Sequence, residues 1–248
     1  MRYLVLLIGL IVSLHTSATG PTWRTAAEED SILKWKTPKE GFCPALFALL
    51  NKEGQTIEYV PEFVPQKRIE YWIKSGELDL MCGLAKTEAR EQSYSFINIP
   101  IYRQDYVLVA RRDDPVSPKS WDEIKAMGKD AIILLNRDGP FVSYLQKIGV
   151  THVDSEAIDI EANFRKLMAH RGRYTFHAHR VALKTMKDMQ LQNELRIIYP
   201  PLDSVPFYLL VGKHISLERQ KALENALSQL ERKGETQKLA KEWFTVTP

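Results

Sequence analysis

Short apolar runs of strand length alternate with helix-length amphipathic segments from Ser31 to the C-terminus. This alternation confines the chain to an α/β architecture. Ser31–Lys36 reads as a first strand and Pro44–Lys52 as a helix, followed by a strand at Thr56–Val60. Residues Gln66–Lys74 place Ile69, Trp72 and Ile73 on one helical face. Gly76 stops that helix before a third strand at Leu78–Gly83. Tyr106–Arg111 is β-like, and Ser120 with Glu123 forms a capping box at a short helix. Strands are then expected at Ala131–Asn136, Tyr174–His179, Leu195–Tyr199 and Phe207–Val211. Helices are expected at Phe141–Ile148, Ile160–His170 and Val181–Gln190. In the helix Ser216–Lys233, Leu223, Ala226, Leu227 and Leu230 form an apolar stripe that Gly234 ends, and Glu235–Phe244 is a closing helix.

The N-terminus reads as an export signal. Arg2 precedes an apolar run from Leu4 to Val12, and Thr16-Ser17-Ala18 supplies the small residues of a cleavage site. The run is far short of the ~20 residues that a spanning helix needs. Cleavage after Ala18 predicts a periplasmic protein of about 230 residues, enough for two lobes of ~100 each. The net charge of +3, with 44% hydrophobic and 26% charged residues, describes an ordinary globular chain and gives no basic stripe for nucleic acid.

Cys43 and Cys82 are the two cysteines. In an oxidising compartment they are either bridged or two separate buried thiols. With the third strand beside the first in a 2-1-3 order, the Cys43 and Cys82 ends are neighbours and a bridge is geometrically open to them. A reactive Cys43 thiolate at a helix N-terminus is a further reading.

Arg90 follows the turn after the third strand, where the carboxyl ends of strands border a ligand crevice in open α/β sheets. A guanidinium there suits a carboxylate or phosphate; the plainer reading is a surface pair with Glu88 or Glu91. Trp35 either stacks on a ligand or packs in the core. Arg68 either points into the cleft or lies at a solvated helix end. His177 and His179, two apart on a strand, share a face that a metal would need, with no third ligand evident; neither a metal nor another cofactor is expected.

Three stretches resemble the bacterial extracellular solute-binding proteins of the amino-acid-binding type (family 3). The first is Tyr71-Trp-Ile-Lys-Ser-Gly-Glu-Leu-Asp79. Lys86-Thr-Glu-Ala-Arg90 follows, with Phe96 and Pro100-Ile-Tyr102. The last is Val205-Pro-Phe-Tyr-Leu-Leu-Val211, with Gly234 and Leu239-Ala-Lys-Glu-Trp-Phe244. The resemblance implies a two-lobed type II periplasmic binding fold that closes like a hinge. Lobe 1 would comprise residues 19–104 and 205–248, and lobe 2 residues 105–204. It also implies that Arg90 clamps a ligand carboxylate beside Gly83 and Ala85, with Gly139 and Arg180 facing them from lobe 2. The implied partners are a small-molecule ligand and an ABC transporter permease or a sensor, for a monomeric protein.

The departures carry information too. Gly83 and Ala85 stand where amino-acid-binding members offer hydroxyls. The loop Asn136-Arg-Asp-Gly-Pro140 replaces a Gly-Thr loop. In Gly172-Arg-Tyr-Thr-Phe-His-Ala-His-Arg180, Arg180 replaces the acidic residue that meets an α-ammonium. An arginine facing an ammonium is repulsive, so an anionic ligand is expected. The alternatives are an exported enzyme resembling cyclohexadienyl dehydratase, with Glu88 or Asp138 as its acid, and an interaction module that has lost its ligand.

Overall fold

The computed structural model describes residues 22–29, 31, 34–137, 139 and 141–244. The segment expected to be an export signal and Asp138 lie outside the described residues. Strand β1 (Trp23–Glu28) is followed by α1 (Phe42–Lys52), β2 (Ile57–Val64), α2 (Gln66–Ser75) and β3 (Leu80–Ala85). A short helix α3 (Glu88–Ser93) and β4 (Tyr94–Phe96) lead to the long strand β5 (Tyr102–Arg111). Then come α4 (Trp121–Met127), β6 (Ile133–Asn136), α5 (Phe141–Lys147), β7 (Val153–Ala157), α6 (Ile160–Met168), β8 (Tyr174–Ala178) and α7 (His179–Asp188). Strand β9 (Leu195–Gly212) and helices α8 (Leu217–Arg232) and α9 (Glu235–Phe244) complete the order.

The first strand is Trp23–Glu28, not Ser31–Lys36. The segment around Lys34–Glu40 is instead a tight loop, in which Lys36 N–H donates to the Glu40 carbonyl and Cys43 N–H donates to the Lys34 carbonyl, at 2.8 and 3.1 Å. Strands β1 and β2 form a parallel pair. Just before β3, the Asp79 N–H donates to the Arg24 carbonyl of β1 at 2.8 Å. Asp79 returns the contact: its buried carboxylate accepts from the Arg24 N–H and guanidinium at 2.9 and 2.7 Å.

The larger sheet runs β3-β9-β5-β8-β6-β7, with β4 also on β9. Strand β9 is continuous where the sequence suggests two strands separated by a proline crossing. Its first part pairs with β5 (Leu108 opposite Ile198), and pairing resumes at Tyr106 opposite Asp203. Between them lie Pro200 and Pro201, which have no N–H to give the ladder, so the register breaks there while the chain stays extended. Further along, Phe207 to Val211 pair with β3.

Among the described residues the core forms four clusters, two of which flank the cleft-bearing part of this β5–β9 ribbon. One set joins α1, α8 and α9 through Phe42, Leu46, Leu50, Leu223, Leu227 and Leu239. The other gathers Leu108, Ile124, Ile133, Leu145, Tyr174 and Phe176. The helix spacing explains the first set: α1 buries Cys43, Leu46, Phe47 and Leu50, and α8 buries Leu223, Ala226, Leu227 and Leu230, one stripe each. At α4 the Ser120 cap forms, but the return bond of the expected capping box lands one residue early, on Lys119. Ser120 Oγ accepts from Glu123 N–H at 3.2 Å, and the Glu123 carboxylate accepts from Lys119 N–H at 2.9 Å. Among the described residues no helix is long and apolar enough to cross a membrane.

Candidate functional site: a cleft across the crossing strands

A cavity of about 810 Å³ spans the β5–β9 ribbon, walled by the ends of β1 and β3 on one side and by α5 on the other. Gly83, Ala85 and Arg90 all line it. Arg90 is set there by a local device. Strand β3 ends at Ala85, and Thr87 Oγ1 caps α3 by accepting from the Arg90 N–H at 3.3 Å. The Arg90 guanidinium then folds back to donate to the Ala85 carbonyl at 3.1 Å. Its partner is Glu70, at 3.5 Å, rather than Glu88 or Glu91. That is a loose ion pair, and it leaves much of the guanidinium fork uncommitted.

Beneath Arg90 lies a buried ion pair that the sequence reading missed. Lys34 Nζ donates to the Glu28 carboxylate and, at 3.0 Å, to the Gly83 carbonyl. Burial pulls the lysine's pKa down, and the Glu28 charge beside it pulls back only in part. Gly83 has φ +75, and a Cβ on it would stand 2.7 Å from Lys34 Cδ and 2.9 Å from Tyr102 Oη. Glycine is therefore required here both by the left-handed backbone and by the lysine and tyrosine packed over it. This accounts for the missing hydroxyl at that position.

The floor is aromatic. Tyr102 stacks on Phe207 with ring centroids 4.9 Å apart, and Phe244, from the end of α9, sits 4.3 Å from Tyr102. On the far wall Asp203 accepts from Trp121 Nε1 at 3.1 Å and from Tyr144 Oη at 3.2 Å.

The remaining sequence candidates separate. Gly139 lines a smaller side cavity that shares Tyr106 and Phe141 with the cleft. Arg180 lies in a different small pocket with Arg103, Asp105 and His179, its guanidinium 5.6 Å from the Phe244 ring centroid. Two of its nitrogens, Nε and Nη1, are shielded from solvent and have no hydrogen-bond partner. Trp35 is a core residue, 2% exposed and edge-on to Phe47 and Tyr59. Arg68 is exposed on α2, outside the cavity wall. Neither belongs to the cleft. Glu88 is exposed and also outside it. His177 and His179 do not share a face. His177 lines the side cavity, whereas His179 opens α7 and bonds Tyr199 Oη at 2.7 Å. Among the described residues no group of three or more His, Cys, Asp or Glu side chains could hold a metal ion. Cys43 and Cys82 are bridged, with Cα atoms 6.1 Å apart, so a reactive Cys43 thiolate is ruled out.

The family model for bacterial extracellular solute-binding proteins, family 3, matches residues 36–246. The chain belongs to that family. A comparison with curated proteins finds no match. Among solved structures, this family 3 protein is similar to a histidine kinase sensor domain with similarity to periplasmic binding proteins. The TM-score is 0.68 at 18% identity, covering 92% of this chain and 98% of that one. It is similar to the probable amino-acid ABC transporter extracellular-binding protein ytmK of Bacillus subtilis (TM-score 0.68, 10% identity, 90% and 97% covered). It is also similar to the GluR0 ligand-binding core of Nostoc punctiforme in complex with L-glutamate (TM-score 0.62, 16% identity, 90% and 99% covered). At these identities the likeness establishes the two-lobed type II fold.

Within this family 3 fold the side cavity gives a pH prediction. Burial lowers the His177 imidazole to about 4, from 6.5. Between these values the unfolded chain binds a proton that the folded one refuses, so stability falls as pH drops through the window. The melting temperature should decline from pH 6.5 to pH 4, and His177→Gln should flatten that decline. An unchanged slope in the variant would contradict the assignment.

Proposed function

We propose that this protein captures a small anionic solute between its two lobes and delivers it to a membrane transporter or presents the loaded lobes to a sensor. The carrying observation is the charge of the cleft wall. Among the described residues Lys34, Lys86, Arg90 and Lys147 line it against two carboxylates, Glu28 and Asp203. Glu28 is consumed by Lys34. Asp203 already accepts two hydrogen bonds. Among the described residues Lys147 takes part in no ion pair, and Lys86 rests on Asn98 and the Tyr208 ring. The surplus is cationic, and a surplus enclosed by low-dielectric walls is relieved by an anion.

In this reading Arg90 exchanges its loose Glu70 contact for a carboxylate on the solute, with the Ala85 turn holding the fork in place. The ligand shifts the lobes toward closure because it touches both walls only when they approach. The lobes are residues 19–104 with 205–248, and 105–204, moving about the paired crossings of β5 and β9. Export through a signal cleaved after Ala18 would place the protein in the periplasm as a monomer without enzymatic activity.

Asp203 favours a second reading, a zwitterionic amino acid whose ammonium takes the carboxylate's free acceptor sites; the Nostoc protein was crystallised with L-glutamate.

Native mass spectrometry of protein purified from cells that export it tests the proposal: an acid without an amino group is the expected retained ligand, and a neutral or zwitterionic amino acid would sink it. Arg90→Ala should weaken acid binding by about 2–3 kcal/mol, a charge-assisted bond being lost. Arg90→Lys should recover only part, since an ammonium cannot reproduce the fork. Calorimetry showing Arg90→Ala as tight as wild type would contradict the role.

A further inference from the structure

Beside the cleft a second cavity of about 180 Å³ opens toward the core of β6 and β8. It shares Gln104, Tyr106, Phe141 and Val181 with the cleft, so one molecule can occupy both. The two volumes differ in chemistry. Among the described residues six charged side chains line the cleft, whereas none of Asp, Glu, Lys or Arg lines the side cavity. Its titratable groups are His177, neutral at physiological pH with a pKa of about 4, and Tyr106, pushed up to about 12 by burial. The wall is a packed aromatic corner. Tyr106, Phe141 and Phe176 have ring centroids 4.4, 5.0 and 5.7 Å apart. Leu135 and Val142 complete it.

Asn136 spends its side-chain oxygen on the Asn163 amide at 2.8 Å, and His177 Nδ1 is shielded and without a partner. Aromatic and aliphatic side chains make up most of the cavity's lining, and about 150 Å³ suffices for a benzene ring. Offset and edge-on ring contacts of the kind already present in this corner would accept one more ring.

We infer that the solute is amphipathic: an aryl-bearing carboxylate, whose charged end meets the cationic cleft and whose ring enters the side cavity between Phe141 and Phe176. This rests on the anion reading for the charged end and adds the ring subsite independently of it.

Calorimetry on the unaltered protein separates the two. The probes are propionate, 3-phenylpropionate, 3-phenylpropionamide and 3-(2-naphthyl)propionate. The expected result is that 3-phenylpropionate binds at least about tenfold tighter than propionate, from burial of one ring. The naphthyl acid should gain nothing more, because its second ring exceeds the cavity. Val142→Phe, which fills the side cavity from α5, should erase the phenyl advantage and leave propionate binding unchanged. Equal affinities for propionate and 3-phenylpropionate would overturn the subsite while leaving the anion reading intact. An amide as tight as its acid would overturn the anion reading and leave the subsite. A phenyl advantage that survives in a folded Val142→Phe protein would overturn the assignment of the ring to this cavity.

Discussion

Lys34→Met should destabilise the protein by about 3–5 kcal/mol, because it strands the Glu28 carboxylate without its partner in the interior. Both side chains are under a tenth exposed. The Gly83 carbonyl loses its lysine donor as well, so the strand end that carries the Arg90 turn loosens together with the core. The double variant Glu28→Gln/Lys34→Met removes both charges and should regain most of the loss, since a neutral pair of similar volume has no desolvation debt. Denaturant titration of the two variants beside wild type decides it. A single variant within about half a kcal/mol of wild type would show that the pair bears no such load.

The second large effect is expected from the Cys43–Cys82 bridge. It ties the first turn of α1 to strand β3 across a sequence separation of 39 residues. Closing a loop of that length restricts the unfolded chain by about 4 kcal/mol in the chain-entropy model. Replacing both cysteines by serine should therefore lower the melting temperature by many degrees. Both residues are almost fully buried, so a mild reductant should act on the native protein only slowly, through unfolding. Equal melting points for the oxidised protein and the double-serine variant would contradict this.

Much of the fold is legible where the side chains keep a regular period. The stripe Leu223, Ala226, Leu227 and Leu230 and the pair Ile69 and Ile73 emerge as buried helix faces. Other elements lack that signal. The six residues of α3 bury no side chain and so show no period. Strand β7 lies at the sheet edge with Asp154 and Glu156, charges typical of an edge but unlike a core strand. The run Ser31–Lys36 imitates a strand, whereas the real β1 carries Ala26 and Ala27, which have little strand propensity.

The site was half visible. A strand, a turn and a guanidinium close together in sequence mark Arg90, and the family resemblance adds Gly83 and Ala85; all three line the cleft. Lys34, Tyr102 and Phe244 meet at Gly83 from three distant segments, and no local pattern announces such a meeting. The misplaced residues have one cause. Trp35 and Arg68 stand near element ends that border the cleft in sequence, but the Lys34–Glu40 loop turns Trp35 into the core, and the α2 stripe turns Arg68 outward.

The central claim is that the cleft selects negative charge. Its most direct test is the calorimetric affinity of the wild-type protein for a carboxylate, for its amide and for its α-amino derivative, at equal pH and low salt. The acid is expected to bind at least about tenfold tighter than the amide and tighter than the amino derivative, and added salt to weaken it. An amino derivative that binds tightest of the three, with affinity indifferent to Arg90→Ala, would contradict it.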